Sequence, residues 1–182
     1  MSFREEKKRN DISIQIKDIG LMHKICPICV EDFTTHSFNR ICNTLESGQI
    51  FYTKITNASR YDDTDGIVTH CTNYLNYVNP EKWSWIIDFE GFGIKHTLGI
   101  NTGIRLSKLI NSFGKLKYLL FININPFVEQ MLKLIKLTLN KEYHNCIHIL
   151  HKNNTFINEI KLWKDLDNNK KILLNLIDYA PS

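Results

Sequence analysis

The sequence predicts an α/β fold in which a mostly parallel sheet is flanked by helices. Residues 83–89 form a nearly continuous apolar run, which is typical of a strand buried on both faces of a parallel sheet. From Gly48 onward, such extended runs alternate with segments whose apolar residues recur at helical spacing. This alternation indicates repeated β-α-β units, whose crossover connections are expected to be right-handed.

The segment that begins at Gly48 predicts the element order β-α-β-α-β-α-β-α-α. Strands are expected at residues 50–56, 83–89, 117–124 and 146–151. The first helix is expected to be capped by residues 63–65 and to end before Pro80, and the second covers residues 106–113. The third helix opens at Pro126 and runs to about Asn140. Two short helices are expected at residues 155–163 and 168–179.

The region before Gly48 has a different pattern. Residues 1–11 are polar and predict a disordered tail. Residues 12–17 alternate strictly between apolar and polar side chains, as a half-buried strand does. Phe38, Ile41, Cys42 and Leu45 recur at helical spacing, so a helix is expected there. The chain therefore divides into a disordered tail (1–11), a cysteine-containing N-terminal extension of a strand plus a helix (12–47), and a main domain (48–182).

The composition is that of a soluble domain with a real core. The chain has 182 residues, of which 43% are hydrophobic and 23% charged. No window approaches the ~18 consecutive apolar residues of a membrane span. The charged N-terminus has no apolar segment typical of a secretory signal. We therefore expect a cytoplasmic protein, in which the five cysteines are reduced thiols.

The net charge of +4 is mild, and the lysines are spread along the chain. A nucleic-acid binder would show a basic groove with interleaved aromatic residues, so no nucleic-acid partner is expected. Asparagine, isoleucine and lysine are abundant, while Ala58 and Ala180 are the only alanines. This bias indicates an AT-rich genome and carries no information about mechanism.

The third predicted helix has an unusual distribution of polar residues. Its polar side chains form one narrow stripe: Glu129, Lys133, Lys136 and Asn140. An ordinary surface helix has an apolar stripe of about 100°, whereas this helix is apolar over most of its circumference. One interpretation is a helix packed between the sheet and another helix. The other is a helix that covers the sheet on one side and a lipophilic ligand on the other. We expect Met131, Leu134 and Ile135 to face the interior, and Val128, Leu132 and Leu139 to form a second apolar surface.

Three segments, in order along the chain, resemble the motifs of one known family. Residues 48–52 (Gly-Gln-Ile-Phe-Tyr) resemble a G-R-P-V-Y strand opening, and residues 85–91 (Trp-Ile-Ile-Asp-Phe-Glu-Gly) resemble a v-v-D-l-e-G strand. Residues 121–127 (Phe-Ile-Asn-Ile-Asn-Pro-Phe) resemble an i-i-N-a-P-x-x-F segment. The family is that of the CRAL-TRIO, or Sec14-like, domains, and the resemblance covers about residues 48–178.

The resemblance implies a parallel-sheet floor and a mobile gate helix that together enclose a lipophilic cavity. It also implies non-enzymatic binding, transfer or presentation of a small lipophilic molecule or phospholipid, transient contact with a membrane surface, and no cofactor. Lys141 lies near a lysine that follows the gate helix in phosphoinositide-binding members. The candidate lipid-binding residues are therefore Phe121, Phe127, Val128, Met131, Leu132, Ile135, Leu139 and Lys141. A related branch of the family implies the alternative of a protein-interaction module on the same fold.

A second alternative is a zinc-stabilised adaptor, because residues 26–33 resemble the start of a RING finger. Cys26, Cys29, His36 and Cys42 could supply one tetrahedral site. If His36 and Cys42 share a helix, however, six residues place them about 240° apart around its axis. The preferred interpretation is therefore two buried thiols and a surface histidine, with no metal ion bound stably.

No set of residues predicts catalysis, so the chain is expected not to be an enzyme. Asp88 follows a predicted strand, at the position where α/β folds bind ligands, and could act as a general base. An aspartate there more often caps a loop or a helix. The sequence has no G-x-S-x-G elbow and no phosphate-binding loop.

Overall fold

The computed structural model describes residues 25–32, 34–44, 47–93, 96 and 99–150. These residues form a five-stranded sheet, in which the strands lie side by side in their chain order. The strands are β1 (Asn39–Thr44), β2 (Gly48–Lys54), β3 (Trp83–Asp88), β4 (Leu116–Ile122) and β5 (Ile147–Leu150). β1 pairs antiparallel with β2, and all other pairs are parallel. The predicted mostly parallel sheet is therefore confirmed.

The described helices are α1 (Pro27–Glu31), α2 (Thr64–Val78), α3 (Gly99–Phe113) and α4 (Pro126–Thr138). Two 3₁₀ helices, Ile55–Asn57 and Lys141–Cys146, follow β2 and precede β5. Each of α2, α3 and α4 connects two neighbouring parallel strands, and α3 contacts both α2 and α4. Right-handed crossovers between strands in chain order place all three helices on the same face of the sheet.

Side-chain caps fix where the helices begin. The Asp63 carboxylate accepts a hydrogen bond from the Gly66 amide (2.9 Å) at the start of α2, which confirms the predicted cap. Asn125 accepts from the Val128 amide (3.0 Å) at the start of α4, and Pro126 occupies the first turn. At the other end of α2, Asn79 has the left-handed conformation (φ 41°) that ends many helices.

β3 is the middle strand of the described sheet, as its apolar run predicts. Trp85 pairs with Phe51 of β2 and Leu119 of β4, and all three side chains are buried. Gly48 opens β2 with φ +67°, and a Cβ there would lie 2.1 Å from the Lys82 carbonyl oxygen. Only glycine allows the two strands to approach so closely at this point.

The predicted helix over residues 38–45 is wrong, since residues 39–44 are strand β1. Its pairing with β2 shifts register between Arg40 and Cys42. Such a bulge interrupts the period of two, so the apolar spacing of a bulged strand can imitate a helix. Phe38, just before the strand, stacks on Phe51 with ring centroids 4.6 Å apart. The strand pairing with β2 and the contact between Phe38 and Phe51 therefore outweigh the helical spacing of apolar residues in this segment.

The predicted orientation of the third helix, α4, is partly wrong. Val128, Met131 and Leu132 are buried in one core, so the expected division into two apolar surfaces does not hold. Leu134 is 52% exposed rather than interior, and Leu137 is 80% exposed. Nine residues turn a helix by about 180°, which places Leu137 opposite Val128. The helix buries a single arc.

The disordered tail (1–11), the strand at 12–17 and the helices at 155–163 and 168–179 lie outside the described residues. The division of the chain at residues 11 and 47 stays a prediction. Among the described residues, no helix has both the length and the apolar character needed to cross a membrane.

Candidate functional site

An apolar cavity of about 110 Å³ lies between the sheet and the three crossover helices. Its floor is formed by side chains from alternate positions of neighbouring strands, which point to the same face of the sheet. These floor residues are Thr53, Trp85, Ile87, Leu119 and Phe121. The floor therefore follows from the alternation of side chains along each parallel strand, because every second residue faces the helices.

The walls of the cavity come from all three helices. α2 contributes Ile67 and Cys71; α3 contributes Thr102, Gly103, Leu106, Ser107 and Ile110; α4 and its C-terminal cap contribute Met131, Leu132, Ile135 and Leu139. Gly103 leaves room for Ile135 of α4, because a Cβ there would lie 2.4 Å from Ile135 Cδ1. The absent side chain lets Ile135 pack directly against the α3 backbone.

Several polar atoms of the lining are already hydrogen-bonded within the protein. The indole of Trp85 donates to Thr53 Oγ1 (2.9 Å), and the Thr102 hydroxyl pairs with Thr64 (2.7 Å). Ser107 donates to the Ile104 carbonyl at 2.7 Å. Because these groups already make hydrogen bonds within the protein and most of the lining is apolar, the cavity favours an apolar ligand.

Aromatic side chains close one end of the cavity. His96, only 3% exposed, stacks on Phe92 at 4.9 Å and meets the edge of Tyr61 at 4.8 Å. The Gly93 amide donates to His96 Nδ1 at 2.9 Å. The sequence contains no signal for this arrangement, because a single histidine in a loop fits many environments.

The structure brings most of the candidate lipid-binding residues to this cavity. Five of them line it: Phe121, Met131, Leu132, Ile135 and Leu139. Phe127 instead packs near Phe92, with ring centroids 6.5 Å apart, and Val128 is fully buried in the core. Lys141 is exposed on the 3₁₀ helix before β5. The lining residues of α2 and α3 were missed because helical periodicity identifies buried positions but not the empty space beside them.

Asp88 performs the capping role rather than presenting a free carboxylate. Tyr52 donates its hydroxyl to Oδ2 (2.7 Å), while the Glu90 amide and Asn123 Nδ2 each donate to Oδ1 (2.9 Å). Burial, reinforced by the hydrogen bond to Asp88, raises the pKa of Tyr52. The carboxylate thus ties the ends of β2, β3 and β4 together and is buried.

A second group of chemically capable side chains lies beside the cavity. Cys26, Cys29, His36 and His70 are all buried and converge on one point. Two premises of the expectation of no zinc are therefore wrong. His36 is 5% exposed rather than on the surface, and it shares no helix with Cys42, which lies in β1. The sequence contains no local pattern that links His70 to Cys29, since His70 lies 41 residues further on, in another element.

The sequence pattern of the CRAL/TRIO domain matches residues 39–167. The match spans most of the chain and includes the whole sheet and the helices around the cavity, so the chain belongs to the CRAL/TRIO domain family. Domains of this family generally bind lipophilic molecules such as phospholipids, and they are typically carriers rather than enzymes.

The fold also resembles a solved protein, described as the crystal structure of Sfh5. The similarity has a TM-score of 0.56 at 9% sequence identity, and covers 71% of this chain and 51% of the other. The chain thus spans about half the length of that protein, and the likeness at this identity concerns the fold alone. No curated protein matches the sequence.

Proposed function

We propose that this domain binds a small lipophilic molecule, or the acyl part of a phospholipid, in the cavity beneath α4, without catalysing a reaction on it. The observation that carries this proposal is the apolar cavity, several of whose polar lining atoms already make hydrogen bonds within the protein. Membership of the CRAL/TRIO family supports the same class of ligand. A cytoplasmic location and transient contact with a membrane surface during loading are parts of this proposal.

The size of the cavity limits what can enter while α4 stays in place. Sites for drug-sized ligands occupy roughly 300–1,000 Å³, whereas this cavity measures about 110 Å³. Micromolar affinity needs about 8 kcal/mol, which corresponds to roughly 300 Å² of apolar ligand surface at ~25 cal/mol per Å². We therefore infer that α4 moves outward to admit a whole acyl chain.

The position of α4 is compatible with such a movement. The helix contributes one wall of the cavity, while its opposite side, at Lys133 and Leu137, is exposed. Moving α4 outward would enlarge the cavity without breaking the strand pairing of the sheet. The movement requires that the buried arc of α4 exchange its contacts with α3 and the sheet for contacts with the ligand. It also requires that the hydrogen bonds between Asn111 of α3 and the C-terminal end of α4 either break or act as the hinge.

The proposal is tested by filling the cavity. Met131→Trp places a large side chain at a lining position, and Leu137→Trp places the same side chain on the exposed side of the same helix. A fluorescent fatty acid is titrated into the wild type and both variants, and organic extracts of the purified proteins are analysed by mass spectrometry. We expect binding by the wild type and Leu137→Trp, and its loss in Met131→Trp.

Thermal melts of the three proteins establish that each is folded. If the folded wild type neither binds the fatty acid nor carries a lipid from expression, the proposal is wrong. The alternative of a protein-interaction module on the same fold would then be the better description. Equal binding by a folded Met131→Trp variant would place the ligand outside this cavity.

A further inference from the structure

Four side chains with metal-binding atoms meet beside the cavity. Cys26 and Cys29 flank the start of α1, His36 lies in the loop before β1, and His70 lies on α2. One ligand atom from each lies within 4.8 Å of the other three. All four side chains are at least nine-tenths buried. The group lies directly behind the cavity wall, since the neighbours Ser37 and Cys71 line the cavity.

The distances between these atoms match the edges of a tetrahedral metal site. His36 Nδ1 lies 3.5 Å from Cys26 Sγ and 3.4 Å from Cys29 Sγ. His70 Nδ1 also lies 3.4 Å from Cys29 Sγ. With Zn–S bonds of ~2.3 Å and Zn–N bonds of ~2.0–2.1 Å, tetrahedral geometry separates sulfur from nitrogen by about 3.6 Å. Three of the six edges of the group therefore have nearly the length expected around zinc, and every ligand atom lies within 4.8 Å of the others.

The donor set is appropriate for zinc. Two thiolates and two imidazoles in tetrahedral arrangement are the ligands of structural zinc, whereas magnesium and calcium prefer oxygen. Ligation requires neutral imidazoles and thiolates, and a divalent ion at this point would remove the proton from each coordinating thiol.

We propose that Cys26, Cys29, His36 and His70 bind one zinc ion in a closed structural site. Four protein ligands leave no position for water or substrate, which distinguishes structural zinc from catalytic zinc. The ion would link the segment that precedes β1, which carries three of the ligands, to His70 on α2.

The surroundings of His36 support this assignment. Metal-binding histidines usually donate their second ring N–H to a carboxylate or carbonyl, which fixes the ring. His36 Nε2 points at Asp63 Oδ2, 3.6 Å away, and has no closer hydrogen-bond partner among the described residues. The other oxygen of Asp63 caps α2. Gly66 makes room for this pair, because a Cβ there would lie 2.2 Å from Asp63 Oδ2 and 2.8 Å from His36 Nε2.

The loop between the two halves of the cluster is held independently. Asp32 accepts hydrogen bonds from the amide and hydroxyl of Thr34 and from the Ser59 hydroxyl. Asn73 on α2 donates to the Ile25 carbonyl at 2.9 Å, next to Cys26. Hydrogen bonds made by residues outside the cluster therefore position the segments that carry the four ligands.

A redox function for the Cys26-x-x-Cys29 pair fits the structure less well. Reactive thiols are partly exposed and have lowered pKa values. Cys29 is 1% exposed, and burial raises its pKa. An imidazole can activate an accessible thiol, but Cys26 and Cys29 are both buried, so the two imidazoles fit the role of ligands better.

The test is to measure the metal content of the whole chain, purified under reducing conditions without added metal. We expect one zinc per chain by elemental analysis, and a fall to background in Cys29→Ala and His70→Ala. Cys42→Ser, Cys146→Ser and His148→Gln are matched controls that should keep the full zinc content. The sequence alone suggests Cys42 as the fourth ligand, whereas the structure has His70 there. Cys42→Ser therefore also distinguishes the two sets of ligands.

Two further measurements cover the case in which a ligand variant fails to fold. Cobalt(II) added to the metal-free wild type should give the intense visible bands of a tetrahedral site. His70→Cys replaces one nitrogen ligand by sulfur, so it should keep one metal per chain and strengthen the sulfur-to-cobalt charge-transfer band. A wild type that binds neither zinc nor cobalt overturns the proposal, as does full zinc retention in His70→Ala or loss in Cys42→Ser.

Discussion

At the scale of single residues, the candidate sites depend on contacts between side chains that lie far apart in the sequence. The Asp63 carboxylate serves two elements at once, since it caps α2 and faces the ring of His36. Asp88 does the same at the ends of three neighbouring strands, through Tyr52, Glu90 and Asn123. Each aspartate occupies a position where the sequence predicts a cap, and each contacts more than one segment of the chain.

Gly66→Ala tests the role of Asp63. Alanine in place of a helical glycine ordinarily stabilises a protein by up to about 1 kcal/mol. Here the new Cβ displaces the Asp63 carboxylate from the cap and from His36, and loss of an N-cap costs about 1 kcal/mol or more. The two effects should largely cancel, so we expect no gain in the free energy of unfolding, together with faster zinc loss to a chelator.

Gly93→Ala is the control, because a Cβ at Gly93 meets nothing within 4 Å. Urea unfolding and the rate of chelation by a colorimetric chelator give the comparison. Stabilisation by Gly66→Ala, with unchanged zinc release, would mean that Asp63 can move without consequence.

Asp88→Ala is expected to lower the free energy of unfolding by about 3 kcal/mol. The substitution leaves the Tyr52 hydroxyl, the Glu90 amide and the Asn123 side chain without their buried acceptor, and hydrogen bonds to a charged group contribute about 1.5–3 kcal/mol. Tyr52→Phe removes one donor and should cost about 1 kcal/mol. Urea denaturation measures both, with the exposed Asp65→Ala as the control. A change below about 0.5 kcal/mol for Asp88→Ala would contradict the structural role.

At the scale of elements, the two sides of α4 have different surroundings. Its buried arc borders the cavity, and its exposed side carries Leu134 and Leu137. The pattern of residues 127–140 predicts an almost wholly apolar helix, but composition alone cannot say which apolar side chains meet protein. That depends on where α3 and the sheet lie.

Leu132→Ala and Leu134→Ala separate these two sides. Leu132 is 6% exposed and Leu134 52% exposed. Truncating a buried leucine costs about 2–5 kcal/mol, whereas surface changes usually stay within about 0.5 kcal/mol. We expect a loss of about 3 kcal/mol for Leu132→Ala and almost none for Leu134→Ala, measured by urea denaturation. Equal losses would show that Leu134 is covered in solution.

The sequence predicts those parts of the fold that depend on local chemistry. The cap at Asp63, the opening at Pro126 and the buried run of β3 depend on neighbours in the chain, and all are confirmed. The sequence predicts a helix in place of β1 because the bulge of this strand breaks its alternation of apolar and polar residues. His70 was not recognised as a companion of Cys29, because no local pattern joins residues brought together by tertiary packing.

At the scale of the whole molecule, binding and stability are linked. A ligand that binds only the folded protein, at 100 times its dissociation constant, stabilises it by about 2.7 kcal/mol. For a domain of this size, each 1 kcal/mol raises the melting temperature by roughly 2–4 °C. Differential scanning calorimetry of the wild type with the fluorescent fatty acid should therefore show a rise of about 5–10 °C. The same addition to Met131→Trp should produce no rise; a rise of similar size there would place the ligand elsewhere.

The strand order of the sheet has a consequence for synthesis of the chain. Because every described strand pairs with the one before it, each contact of the sheet can form as soon as the next β-α unit leaves the ribosome. The residues of the cysteine and histidine cluster are complete once α2 has emerged, whereas the cavity needs α4. We therefore expect zinc to bind a nascent chain that contains β1, β2 and α2, before the lipophilic cavity exists. Metal supply would then determine how early the growing chain acquires a fixed structure.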